Sequence, residues 1–123
     1  MPWSVTYNPD AHMIEHVYAG EIDLNSLVEG TMQSVALAKQ HNCVHHLVDE
    51  TNIDPHMTVF DIYGMVELYE TLDVDQHSRV AIVFSKESPF LKNAMFYENT
   101  CQNRGYNVRI LHDFDEAKKW LNT

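Results

Sequence analysis

The sequence predicts a single α/β domain that opens on a β-hairpin. It continues as a mixed, mostly parallel sheet with helices mainly on one face. Three observations predict this. Strand-like and helix-like hydrophobic patterns alternate in the order ββαβαβαβα, which implies parallel strands joined by right-handed crossovers. The turn signal Asn8-Pro9-Asp10 separates the first two strand patterns and makes them a hairpin. In the later strands one set of alternate positions is apolar (Val44, Val48, Val80, Ile82, Phe84, Val108, Ile110) and is broken only by His46. The other set is mixed: His45, Leu47, Asp49, Arg79, Ala81, Val83, Arg109 and Leu111. A doubly wound sheet would bury both sets, so one face is expected to be partly bare.

The elements follow in order. Residues 3–7 alternate large and small polar side chains as a strand, and residues 12–18 form its partner, ended by Gly20. Asp23 stands at an N-cap, and Leu24, Leu27, Val28, Thr31, Val35 and Ala38 recur at helical spacing up to His41. Residues 44–48 form a short strand leading into Asp49-Glu50-Thr51-Asn52. Thr58 and Asp61 have capping-box spacing and open a helix through Leu72. Residues 79–84 read as the clearest strand. Ser88-Pro89 predicts a cap with proline in the first turn of a helix that stops at Asn103-Arg104-Gly105. Residues 108–111 form the last strand, and Asp113 with Glu116 caps a short final helix carrying Ala117, Trp120 and Leu121.

Composition bounds the function. The 123 residues are 45% hydrophobic and 11% aromatic, which excludes disorder and allows one domain with a sizeable core. Eight Lys+Arg against 18 Asp+Glu give a net charge of -10, which argues against a nucleic-acid binder. No apolar run reaches the ~20 residues of a membrane span, and no export signal is expected at the N-terminus. Cys43 and Cys101 belong to no CxxC or CxH pair and read as reduced packing residues. Eight histidines are many for this length. His12 and His16 have HxxxH spacing, but on a strand they lie about 13 Å apart, too far for one ion. No metal and no cofactor is predicted, and the histidines read as surface and edge residues. The four scattered glycines make no phosphate loop.

The element order, the strand Arg79-Val80-Ala81-Ile82-Val83 and the ending from Asn103 through Asp115-Glu116-Ala117 to Trp120-Leu121 resemble SpoIIAA-like proteins of the STAS superfamily. The resemblance spans nearly the whole chain. It implies one SpoIIAA-like β-α superhelix domain over residues 1–123, a prokaryotic cytoplasmic protein, and no enzyme activity. In that superfamily the anti-anti-sigma factors are phosphorylated on Ser in an Asp-Ser-(Ser/Thr)-Gly motif at a helix start. The matching stretch here, Asn52 to Thr58, lacks the motif, and Thr58 is its one hydroxyl near the helix start. The resemblance therefore carries over Thr58, beside Asp49 at the strand end, as a phospho-acceptor or partner site. The alternative is that Thr58 simply caps the helix.

Other candidates are weighed similarly. Asp49, Glu50, Asp54 and Asp61 crowd the end of the third strand, where open sheets usually bind ligands, although a solvated acidic loop explains them too. Ser85-Lys86 precedes a helix and reads as part of its cap rather than as a nucleophile and base. Tyr63, Met57, Phe90 and Tyr97 concentrate near the second and third helices and could line an apolar pocket, or simply pack. Leu47, Val83 and Leu111 make an apolar centre on the mixed sheet face, ringed by Arg79 and Arg109, and read as an interface. The leading expectation is a non-enzymatic interaction module that binds a protein partner or itself as a homodimer. The alternative is a carrier or sensor of a small apolar ligand held between the second and third helices.

Overall fold

The computed structural model describes residues 2–123. Nine elements follow the expected order: β1 (Trp3–Asn8), β2 (Met13–Asp23), α1 (Leu24–His41), β3 (His45–His56), α2 (Val59–Thr71), β4 (Arg79–Val83), α3 (Leu91–Asn103), β5 (Asn107–Leu111) and α4 (Phe114–Leu121). The strands form one sheet in the order β1-β2-β3-β4-β5, with β1 antiparallel to β2 and the other pairs parallel. Because strand order equals chain order, every crossover steps the same way along the sheet. Crossovers of one hand then deliver α1, α2 and α3 to the same face. The final helix closes no crossover and escapes that rule. It packs against β3, β4 and β5 through the opposite face.

Helix ends obey local chemistry. Asp23 accepts from the Ser26 amide at 2.9 Å, and α1 ends on Asn42 in a left-handed conformation, φ 51°. At α2 the capping box is complete: Thr58 Oγ1 accepts from Asp61 N at 3.2 Å, and the Asp61 carboxylate accepts from Thr58 N at 2.9 Å. The third helix differs from expectation. Ser88 Oγ accepts from Phe90 N at 3.1 Å and holds a turn, so the helix begins at Leu91 rather than beside Pro89. In α4, Asp113 accepts from Asp115 N at 2.7 Å, without a reciprocal bond from Glu116.

The second and third strands are longer than their sequence patterns suggest. β3 runs twelve residues, and its far half pairs with Ala19–Asp23 of β2. The pairing steps from Val17↔Asp49 to Ala19↔Asn52, so β3 carries one extra residue there. Such a bulge reverses which alternate residues face which way. Before it, His46, Val48 and Glu50 point to the helix side; after it, Ile53 and Pro55 do. Period-two reading from Val44 loses the strand at this point. Pro55 lies beyond the last β4 pair, Asp49↔Val83, so its missing N–H costs no bond on that side.

Two main cores result. On the helix side Tyr18, Ile22, Val48, Val66, Tyr69, Ile82, Cys101 and Val108 cluster. On the other, Met13, Leu47, Ala81 and Val83 meet Ala117 and Leu121 of α4. The face expected to be half bare is thus covered at its centre. Leu47 and Val83 are buried, and Leu111 packs beside them, so these three are core residues rather than an open interface. Arg79 donates at 2.7 Å to both the Trp120 carbonyl and Thr123 Oγ1, and lies 5.6 Å from the Trp120 ring centre. Arg109 sits 5.9 Å from the same ring. Both arginines are occupied in holding down the last helix. Each fully buried aliphatic side chain there contributes about 1.5–3 kcal/mol.

Candidate functional site

On the helix side the packing is incomplete. A cavity of ≈ 120 Å³ lies between the sheet and the three crossover helices. Its wall is mostly aliphatic and aromatic, with Leu27, Ile62, Met65, Ile82 and Phe90 among the contributors. Into this wall the strands insert polar groups, namely His16 and Tyr18 from β2 and His46 and Glu50 from β3. The alternation of the two strands, held in parallel register, brings these four to one face. Ser34 of α1 and Asn93 and Tyr97 of α3 also reach it.

The histidines form a pair. His16 Nε2 and His46 Nδ1 lie 2.9 Å apart, with the rings edge to face at 72°. Burial, then the neighbouring His46, holds His16 well below its ordinary value; burial, then His45, holds His46 down at about 4. Both rings are neutral near pH 7, so one donates and the other accepts. The pair keeps one further donor and one further acceptor for other partners.

Glu50 has the reverse displacement. Burial, followed by the charge of Asp49, pushes its carboxyl up to about 7. Among the described residues no hydrogen bond reaches its side chain, which retains partial accessibility at the cavity wall. Its charge also helps raise the hydroxyls of Tyr18, Tyr69 and Tyr97, after the larger effect of burial. Tyr97 donates its hydroxyl to that of Tyr69. Glu50 thus shares one cavity wall with three phenols and the neutral histidine pair. Among the described residues no lysine or arginine lines the cavity.

The predicted residues divide. Met57, Phe90 and Tyr97 do line the cavity, whereas Tyr63 does not: it is exposed and meets Phe96 edge-on at 5.4 Å. The acidic cluster disperses. Asp61 completes the α2 cap, Asp49 accepts from Thr51 N and Oγ1 at 3.0 and 2.7 Å, and Asp54 contacts His56 at 3.2 Å. Only Glu50 enters the cavity. Thr58 is exposed, but its oxygen is engaged as the cap and the Asp61 carboxylate adjoins it. Ser85 Oγ accepts from Glu87 N at 3.3 Å in a turn, with no pairing to Lys86. Glu21, Asp54 and His56 could together offer ligand atoms to a cation, but all three are exposed. His12 lies in the hairpin turn bonded to Tyr7 at 2.7 Å, apart from His16.

Sequence reasoning missed the buried His16 and His46, taken as surface residues, and placed Glu50 in a solvated loop. His46 left a signal as the one break in an apolar set. Tyr18 left none. Its hydroxyl lies so close to α1 that a methyl group at Gly30 would overlap it. Cys101 is fully buried, and burial pushes its thiol up to about 12, so it is an inert packing residue.

No family model matches the sequence, and no curated protein matches it. Solved structures do. An uncharacterized protein of the DUF3478 family with a SpoIIAA-like fold, from Shewanella loihica PV-4, is similar over 97% of this chain and 91% of its own, at 16% identity and a TM-score of 0.59. The anti-sigma factor antagonist SpoIIAA in its unphosphorylated form is similar over 98% of this chain and 97% of its own, at 12% identity and a TM-score of 0.59. At such identities the likeness is one of architecture. The chain has a SpoIIAA-like fold, and among the described residues no helix is long and apolar enough to cross a membrane.

Proposed function

We propose that the protein is a non-enzymatic interaction module of the STAS type, which meets a partner protein through the outer surface where α2 begins. One observation carries this reading. Phe60, in the first turn of α2, is 86% exposed; Val59 and Tyr63 of the same helix are exposed with it, as is Met95 of α3. Tyr63 joins this group to α3 through its edge contact with Phe96. Large apolar groups clustered on a charged molecule are interface-like. The partner has apolar side chains bordered by basic ones, because Glu67 lies one turn beyond Tyr63 and the whole chain carries a net charge of -10. Two copies meeting here would oppose like charges, so the surface suits a different protein better than a second copy.

The test begins with a photo-crosslinking residue at position 60 in producing cells and a control at Phe114 on α4. A partner captured from position 60 alone is then purified with the protein. Phe60→Ser is expected to weaken the binary complex by at least about ten-fold. Equal affinity of that variant, or capture through Phe114 instead, would overturn the surface. A concentration-dependent dimer lost in Phe60→Ser would make the occupant a second copy.

The cavity behind the same helices supports a second reading, the carriage or sensing of a small ligand. Met57, Phe90 and Tyr97 belong to that site.

A further inference from the structure

Resting on this second reading, we propose that the cavity is a binding site for a small aromatic or aliphatic amine, with Glu50 as the counter-ion of its ammonium group. Size sets the first limit. An engineered protein cavity of about 150 Å³ stays dry and admits benzene, so ≈ 120 Å³ takes one ring or a short alkyl group. Charge sets the second. Among the described residues Glu50 is the only acidic side chain on the wall, and no lysine or arginine there balances it. An anionic ligand such as a fatty acid or a phosphate would enter a site that holds only negative charge. An ammonium group would pair with the Glu50 carboxylate on that wall, to which no hydrogen bond is made among the described residues.

The surroundings suit a cation further. Tyr18, Tyr69 and Tyr97 line the same cavity as Glu50. Their electron-rich ring faces and hydroxyl oxygens are what desolvated organic cations prefer. The neutral His16–His46 pair keeps a free acceptor nitrogen, a second place for an N–H to bond. The aliphatic wall contributed by Leu27, Ile62 and Ile82 receives the remainder of the ligand. The carboxylate selects the amine, and the volume selects its size.

Phenethylamine, toluene and phenylacetate share one ring and differ in charge, so they are suitable probes for calorimetry and for titration of the histidine and tyrosine NMR signals. Measurements belong above the pH at which Glu50 loses its proton. Phenethylamine is expected to bind at least about ten-fold more tightly than either of the others. Glu50→Gln is expected to remove that preference while leaving toluene binding within about two-fold. Ala94→Phe, which fills the cavity from α3, is expected to abolish binding of all three. If toluene binds as well as phenethylamine, or phenylacetate binds better, amine recognition is overturned and the ligand cavity stands. If no probe binds the wild-type protein at millimolar concentration, both fall. Should Glu50→Gln fail to fold, phenethylamine against toluene on the wild-type chain still decides the matter.

Discussion

The same strands serve both faces of the sheet, yet the two faces are finished in opposite ways. On one, α4 lays Ala117 and Leu121 onto Leu47, Ala81 and Val83, a small apolar core clamped at its edge by Arg79 and Arg109 around Trp120. On the other, three crossover helices cover a larger cluster of buried residues but leave a cavity walled by two histidines, a carboxyl and tyrosines among others. Short α4 has only one task, to seal. The crossover helices are held at both ends by strands and cannot close up freely around the polar groups between them. The lesson is that polar burial and imperfect packing occur together here, and that is where a ligand would find both room and a handle.

The comparison can be broken first at its tightest point. Leu121→Ala is expected to cost about 3–4 kcal/mol, because it opens a void under a helix with little else to hold it; Met65→Ala, beside the existing cavity, should cost nearer 2 kcal/mol. Urea unfolding of the two variants measures the difference, and equal losses would mean that the cavity face is as well packed as the other. Gly30→Ala comes next. Its methyl group would displace the buried Tyr18 ring, at an expected cost of about 1–3 kcal/mol. The double variant Gly30→Ala with Tyr18→Phe relieves the overlap only in part, because two ring carbons also lie 2.9 Å from the new methyl position; Tyr18→Ala in place of Phe relieves it fully.

The pH dependence sharpens the same contrast. Glu50 is raised from 4.5 to about 7 in the folded state, so between those values the native chain binds a proton the unfolded chain lacks, and stability falls as pH rises. His46 is lowered from 6.5 to about 4, so the unfolded chain binds the extra proton, and this part of the stability rises with pH over that window. The two slopes oppose one another in mildly acidic solution. Glu50→Gln removes only the first. It is expected to gain about 1–3 kcal/mol at about pH 8, where the carboxylate would otherwise sit charged in an apolar wall, and nothing near pH 4. Unfolding curves at several pH values check this, and an unchanged pH profile would place Glu50 in solvent. The smallest effect belongs to the surface. Thr58→Ala should cost about 1 kcal/mol through loss of the cap, at every pH and with no change in the cavity.

Much of this protein was legible before folding, for identifiable reasons. The nine elements and their order follow from local information. Asp23, Thr58 with Asp61, and Asp113 mark helix starts by side chains that bond amides two or three residues on. The split between apolar and mixed strand positions did separate two faces. The site was less legible. Met57, Phe90 and Tyr97 were found by their apolar character, but Tyr63 sits on the helix face turned outward, which helical crowding of aromatics alone does not reveal. Leu47, Val83 and Leu111 were rightly grouped and wrongly exposed, because nothing in their own strands says what lies on top.

Sequence by itself determined which segments are strand and which helix, where the helices begin, and that the chain would be acidic and α/β. These depend on neighbours within a few residues. Tertiary structure alone decided three things: that α4 covers the second face, that an extra residue in β3 reverses its alternation after Glu50, and that His16, His46 and Glu50 share one wall. The first follows because α4 closes no crossover, and the other two are matters of register between segments distant in the chain. A shift of one residue in pairing moves a side chain from solvent to core without altering the local pattern that a sequence displays.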